Sequence, residues 1–238
     1  MKTILHTAES RGHANHGWLN SNHTFSFGGY QDAARMNFGV LRVLNDDHVA
    51  PGMGFGTHPH RNMEIISIPL EGDLEHKDNT GTNVVIKHGD VQVMSAGTGI
   101  EHSEYNANSD KAVKFLQIWI IPNKKEVTPR YQQITLDSSQ RENKLQQILS
   151  PNSEDEGVWI HQNAWFHLGR LEAGTTLKHA LKDPKNNGLY AFVISGAIRI
   201  EGQNLTSRDG LGLTEITETE ITASSSAEVL LMEVPMSL

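Results

Sequence analysis

"GTHPHRNMEIISIPLEGDLEHKDNTG", residues 56–81, carries three β signals in succession. His58 and His60 stand two apart, so in an extended strand both side chains leave from one face. Pro59 between them cannot donate a ladder hydrogen bond and marks a strand start or a bulge. "MEIISIPL" (63–70) is a short apolar run, Gly72 supplies a turn, and "DLEHKDN" (73–79) continues as a second strand before the next turn cluster.

The same texture extends in both directions. "TFSFG" (24–28), "FGVLRVL" (38–44), "NVVIKHG" (83–89), "DVQVMSAG" (90–97) and "VKFLQIWII" (113–121) are short apolar or alternating runs separated by Gly, Asn and Asp. Many short strands at turn-punctuated spacing predict an all-β sandwich or barrel. Residues 122–156 are polar and contain Pro122, Pro129 and Pro151, as a connection would, and "SSQRENKLQQIL" (138–149) is the best helix candidate in the chain. Strand-like runs resume at "GVWIHQ" (157–162), "WFHLGRLEAG" (165–174), "LYAFVISG" (189–196) and "EVLLMEV" (228–234). We therefore expect an N-terminal domain over residues 1–121, a short, partly helical linker over 122–156 and a C-terminal domain over 157–238.

The two halves share a pattern. "ISIPLEGDLEHKDN" (66–79) and "YAFVISGAIRIEGQ" (190–203) both read strand, glycine turn, strand. Aligning Gly72 with Gly196 by simple offset sets Lys182 and Pro184 against His58 and His60. By the same counting, residues of ligand type in the first half have no counterparts in the second, so the second domain is expected to hold no metal.

Composition narrows the chemistry. The 238 residues contain no cysteine, which excludes disulfides, thiolate metal sites and a thiol nucleophile. Any metal must be held by nitrogen and oxygen. Lys and Arg number 20 against 28 Asp and Glu, a net charge of −8, which argues against a broad nucleic-acid surface. No apolar run is long enough to span a membrane, and no signal-peptide pattern opens the sequence, so the expected compartment is the cytoplasm.

A His-x-His pair among 13 histidines proves little alone, and "EHSE" alone reads as a polar turn. Together they read differently. His102 and Glu104, in "GTGIEHSEYN" (97–106), repeat the i, i+2 relation about forty residues on, each pair following a glycine-bearing run. Two such pairs on opposed strands can converge on one ion, giving three imidazoles and one carboxylate. That donor set suits Fe(II) and also Mn, Ni, Cu or Zn; an octahedral ion would keep open positions. Glu64 could be a further ligand or an outward carboxylate; we favour its anchoring a ligand imidazole through the other N–H. His76 reads as a residue at the rim or behind a ligand, with plain surface the alternative. His6, His13, His16 and His23 lack strand register and read as structural or surface, and His161 and His167 lie in the half without a site.

Gly52, a five-residue gap, His58-x-His60, a three-residue gap and Glu64 resemble the first cupin motif, and "GDVQVMSAGTGIEHSEYN" (89–106) resembles an altered second one. The alterations are themselves informative: "FGTHPHRNMEI", "LEGDLEHKDNTG" and "MSAGTGIEHSE" closely resemble the pirin family, as do "HTFSFGGYQD", "MNFGVLRVLNDD" and "WIHQNAWFHLGRLEAG". That resemblance implies a bicupin of two antiparallel barrels. It implies one metal ion, typically iron, in the first barrel, held by His58, His60, His102 and Glu104, and a degenerate second barrel. The bacterial branch, which this chain resembles more, implies quercetin 2,3-dioxygenase activity: ring cleavage of a flavonol by O2, with Glu104 also taking the 3-hydroxyl proton. Phe25, Met53, Phe55 and Met94 would wall the substrate cavity. The alternatives are an iron-loaded, redox-sensing binding protein with a protein partner, which no interface signal in the sequence supports, and a cupin isomerase or zinc lyase.

Overall fold

The structure, a computed structural model, describes residues 1–237. Period-two alternation sets its layers. In Val113–Ile120, Leu116, Ile118 and Ile120 face one apolar core while Val113 and Phe115 join another on the opposite face. Glu64–Glu71 behaves the same way, with Ile66 and Ile68 on one side and Ile65 on the other.

Four sheets result, antiparallel except for one short parallel pair. In the first half a seven-stranded sheet runs, in spatial order, β12 (Arg130–Thr135), β9 (Asp90–Ser95), β6 (Glu64–Glu71), β11 (Val113–Ile120), β4 (Leu41–Val49), β3 (Leu19–His23) and β2 (Gly12–Asn15). It packs on a four-stranded sheet of β5 (Gly54–His60), β10 (Ile100–Asn106), β7 (Asp73–Asp78) and β8 (Asn83–Lys87). In the second half the seven strands are β1 (Lys2–His6), β20 (Gly210–Thr214), β17 (Asn187–Ser195), β22 (Ala227–Pro235), β15 (Trp165–Leu171), β13 (Leu145–Ser150) and β14 (Val158–Trp159). They face β16 (Thr176–Ala180), β21 (Glu218–Ala223), β18 (Ala197–Ile200) and β19 (Gln203–Thr206). The protein is a bicupin, as expected.

The two seven-stranded sheets meet back to back over one shared apolar core, which includes Leu44, Ile66 and Ile118 from the first half and Phe166, Phe192 and Met232 from the second. Inside the second cupin domain the packing is a single apolar cluster. Inside the first it divides in two, Leu74, Ile86 and Phe115 at one end and Ile65, Met94 and Ile100 at the other. The buried polar side chains Asn45, Ser67, Glu104 and Gln117 lie on the strands between these ends.

Three expectations meet a different arrangement. Residues 138–149 do not form an α-helix: Ser138–Arg141 is a 3-10 turn capped by Asp137, and Leu145–Ser150 is a strand. The helix-favouring Gln and Leu residues there pair with β15, and Ile148 and Leu149 are drawn into the shared core, so tertiary burial overrides local propensity. Within 122–156, β12 belongs to the first half's sheet and β13 to the second's, leaving only 136–144 between them. Finally, β1 lies at the edge of the second half's sheet, paired along its length with β20, although it falls within residues 1–121.

The halves are also joined by polar contacts. Arg130 donates to Ser95 Oγ and to the Trp159 carbonyl at 3.1 and 2.7 Å, and its guanidinium lies 3.8 Å from the Trp159 ring centroid. Ser95 Oγ donates to Glu64 Oε2 at 2.6 Å. Glu64 is therefore part of this interdomain contact, and its hydrogen bonds do not run to a ligand imidazole as the sequence had suggested. Burial pushes the Glu64 carboxyl up to about 7, against the opposing pull of Ser95 and Arg130. A carboxyl raised on folding stabilises the protein below its unfolded value near 4.5, and that contribution is lost as pH rises through about 7. Urea midpoints of Glu64→Gln and wild type should thus shift in favour of the variant between pH 5 and pH 8; a constant difference would contradict the raised carboxyl.

Candidate metal centre

β5 and β10 pair antiparallel, with His58 directly opposite His102. Both strands present alternate side chains inward, so His58, His60 and His102 converge: each offers a ring nitrogen, and these nitrogens lie within 4.8 Å of one another. Ring centroids are 4.5 to 4.9 Å apart. A bulge between His102 and Glu104 breaks the β10–β5 register and lets the strand turn at the site.

The hydrogen bonds behind the rings decide which nitrogens face inward. Asp78 accepts from Thr80 N, Thr80 Oγ1 and Thr82 N. Burial would raise its pKa, but these donors and His76 outweigh that and hold it at about 2, so it is ionised at neutral pH. An ionised Asp78 accepts from His76 Nε2–H at 3.0 Å, which leaves His76 Nδ1 as an acceptor. His76 Nδ1 lies 3.4 Å from His102 Nδ1, so His102 Nδ1 carries the proton and His102 Nε2 carries a lone pair. That Nε2 is buried and has no hydrogen-bond partner. His58 Nδ1 donates to the Gly56 carbonyl at 2.7 Å, freeing its Nε2 in the same way. His60 is held by its ring edge against Trp119, centroids 5.0 Å apart.

Burial keeps His60 and His102 neutral. Desolvation, then the neighbouring imidazoles, lower His102 to about 2, and desolvation with His58 lowers His60 to about 4. Neutral imidazoles with free lone pairs are the form that binds metal. An orphaned buried nitrogen among convergent imidazoles is what a divalent ion would satisfy, so the residues fit one.

Glu104 lies beside this group and outside the set of converging nitrogens. Its Oε2 accepts from Gln117 Nε2 at 2.7 Å and its Oε1 from Ser67 Oγ at 3.2 Å. Desolvation, helped by the charge of Asp47, raises it to about 7. Glu104, His58 and His60 all border a cavity whose walls include Phe27, Phe55 and Trp119. Of the four wall residues expected from the sequence, only Phe55 lines it. Phe25 and Met94 are packed in separate apolar cores and Met53 is exposed. Asn45 Oδ1, His23 Nδ1 and Trp119 Nε1 border the cavity buried and without partners. Sequence reasoning missed Gln117, Asn45 and Trp119, which sit on the opposite sheet: Gln117 and Trp119 lie inside a run that reads only as an apolar strand, and Asn45 opens an "NDD" cluster that reads as a turn. His76 stands behind a ligand, one of the three places weighed for it.

Such a fold and centre define a class, the metal-binding bicupins. Residues 5–120 match the Pirin family and residues 147–234 the quercetinase C-terminal cupin domain. The quercetin 2,3-dioxygenase of Escherichia coli K12 is 42% identical over 231 residues, covering 97% of this chain and 98% of that one. A pirin-like protein of Caulobacter vibrioides is 39% identical over 223 residues, covering 93% and 95%. The crystal structure of YhhW from Escherichia coli superposes with a TM-score of 0.94 at 41% identity over 98% of each chain. The nickel(II) complex of bacterial pirin YhhW superposes at 0.93 with 40% identity, covering 98% of this chain and 99% of that one. The chain belongs to the pirin family.

Because Asp78 and His76 set the tautomer of His102, replacing either should weaken metal binding while leaving the fold intact. His76→Ala or Asp78→Asn should bind nickel(II) roughly 10- to 100-fold more weakly by equilibrium dialysis, with an unchanged far-ultraviolet spectrum. Unaltered affinity in both variants would show that the relay does not orient the ligand.

Proposed function

We propose that the protein is a metal-dependent dioxygenase that opens the ring of a flavonol such as quercetin, using Fe(II) held by His58, His60, His102 and Glu104. The observation that carries this reading is the convergence of three imidazoles beside a buried carboxyl in an aromatic-walled cavity. The names of its relatives supply the substrate class.

A bound Fe(II) supplies Lewis acidity toward an anionic substrate oxygen and the redox chemistry that dioxygen requires. The rest falls to this chain's side chains. Glu104 takes the proton of the flavonol 3-hydroxyl as general base, and a carboxyl poised near neutral is suited to that transfer. Gln117 and Ser67 hold that carboxylate at a fixed angle between the two ends of the apolar interior. Phe27, Phe55 and Trp119 offer apolar faces to an aromatic substrate. Asn45 Oδ1, His23 Nδ1 and Trp119 Nε1 meet its hydroxyl groups, which relieves their own buried and unpaired state.

The reading is tested by anaerobic iron loading followed by oxygen uptake and carbon monoxide release with quercetin. Uptake should track iron occupancy across partly loaded samples. Glu104→Gln that retains iron should lose about 100-fold or more in kcat, the scale of a removed general base. Full turnover in that variant would remove Glu104 from the role. Bound iron without turnover across flavonols would point instead to the redox-sensing binding role.

A further inference from the structure

Strand register aligns the two halves more closely than sequence offset does. Gly72 and Gly196 end equivalent strands with φ of 74° and 78°. Five residues before each, Ser67 pairs through Gln117 to Asn45, and Ala191 pairs through Leu231 to His167. On the facing sheets, Leu74 pairs with Asn106 as Ile198 pairs with Ala223, which sets Ile221 in the place of Glu104 and Thr219 in that of His102. His102 pairs with His58; Thr219 pairs with His179. His179 therefore stands where His58 stands in the first half, and His167 where Asn45 does. The fixed offset pointed to Lys182 because the segment leading to Gly196 is longer.

The two imidazoles meet inside the second domain. Their ring centroids are 4.9 Å apart, the spacing found within the three-histidine centre. His167 is 8% exposed and His179 6%, and His167 Nδ1 and His179 Nε2 are both buried with no hydrogen-bond partner. Leu177, Ala191, Ile221 and Leu231, their neighbours in the two sheets, all belong to the apolar cluster of this half. Two charges act on the pair, Lys182 and Glu233. Glu233 accepts from Lys182 N, Asp183 N and Asn187 Nδ2, so its oxygens are committed to the loop.

We propose that the second cupin domain binds copper(I) between His167 Nδ1 and His179 Nε2. Two neutral imidazoles satisfy the low coordination number that monovalent copper accepts. A divalent ion would need more donors and an anionic ligand to offset the cost of its charge among apolar walls, and Ile221 stands where that anion would be. The buried carboxylate of Glu233 balances a single positive charge through space. This site is independent of the reaction assigned to the first domain.

The test uses the full chain with its first centre dismantled, His58→Ala/His60→Ala, stripped of metal and titrated anaerobically with copper(I) against a colorimetric copper(I) chelator. The variant should retain one equivalent of copper(I) and none of zinc(II) at matched concentrations. X-ray absorption of the loaded variant should report two nitrogen donors, and adding His167→Leu and His179→Leu should abolish binding. Loss of all copper binding in the folded His58→Ala/His60→Ala protein overturns the proposal, as does copper retained after the leucine substitutions or uptake of zinc(II) in its place. Should the fourfold variant not fold, the absorption spectrum decides: a first shell without two nitrogens overturns the site.

Discussion

A buried imidazole must place two nitrogens, and the first cupin domain is organised around where those nitrogens go. At His102 one nitrogen is committed by a relay that starts at backbone and hydroxyl donors on Asp78 and runs through His76. The other is left bare. Without the relay the ring could flip or change tautomer, and the convergence with His58 and His60 would lose its meaning. The division of the apolar interior into two ends follows from the same constraint. A hydrophobic core cannot run uninterrupted past a belt containing Ser67, Gln117 and Glu104, each of which must be hydrogen-bonded when buried.

The second domain shows what the architecture does when that belt is removed. Ala191 and Leu231 replace Ser67 and Gln117, Ile221 replaces Glu104, and the interior closes into one cluster. The fold survives the exchange because strand alternation needs only the correct face to be apolar, whichever residues provide it. Stability in this half rests on packing. In the first, part of that packing is given up for polar groups whose burial is costly and whose arrangement is chemical.

The fold class and the convergence of His58, His60 and His102 were legible in short patterns: the His58–His60 pair, the "EHSE" that repeats its spacing, and the glycine turn at Gly72 between period-two runs. These depend on local geometry, which a linear sequence carries directly. Gln117, Asn45 and Trp119 were not legible, since their role comes from cross-strand register, and Gln117 sits within "VKFLQIWII", which reads as one apolar strand. The place of His179 was hidden for a related reason. Offsets count residues, whereas register counts hydrogen bonds, and the two diverge wherever a loop changes length. The helix expected at 138–149 failed because intrinsic preference for helix is small beside the burial of Ile148 and Leu149.

The placement of β1 has a consequence for how the chain assembles. β1 pairs with β20, far along the sequence, and it is fastened there by His6 Nδ1 to the Tyr190 hydroxyl at 2.8 Å and by Ala8 N to Asp209 at 2.7 Å. During translation this segment stays unpaired until β20 has emerged, so the edge of the second sheet is sealed by residues made well before the strand they cover. The two cupin halves are therefore interlocked by topology as well as joined by a shared core. Cutting the chain between them would leave the second half with an open sheet edge that only the first half's leading strand can cover.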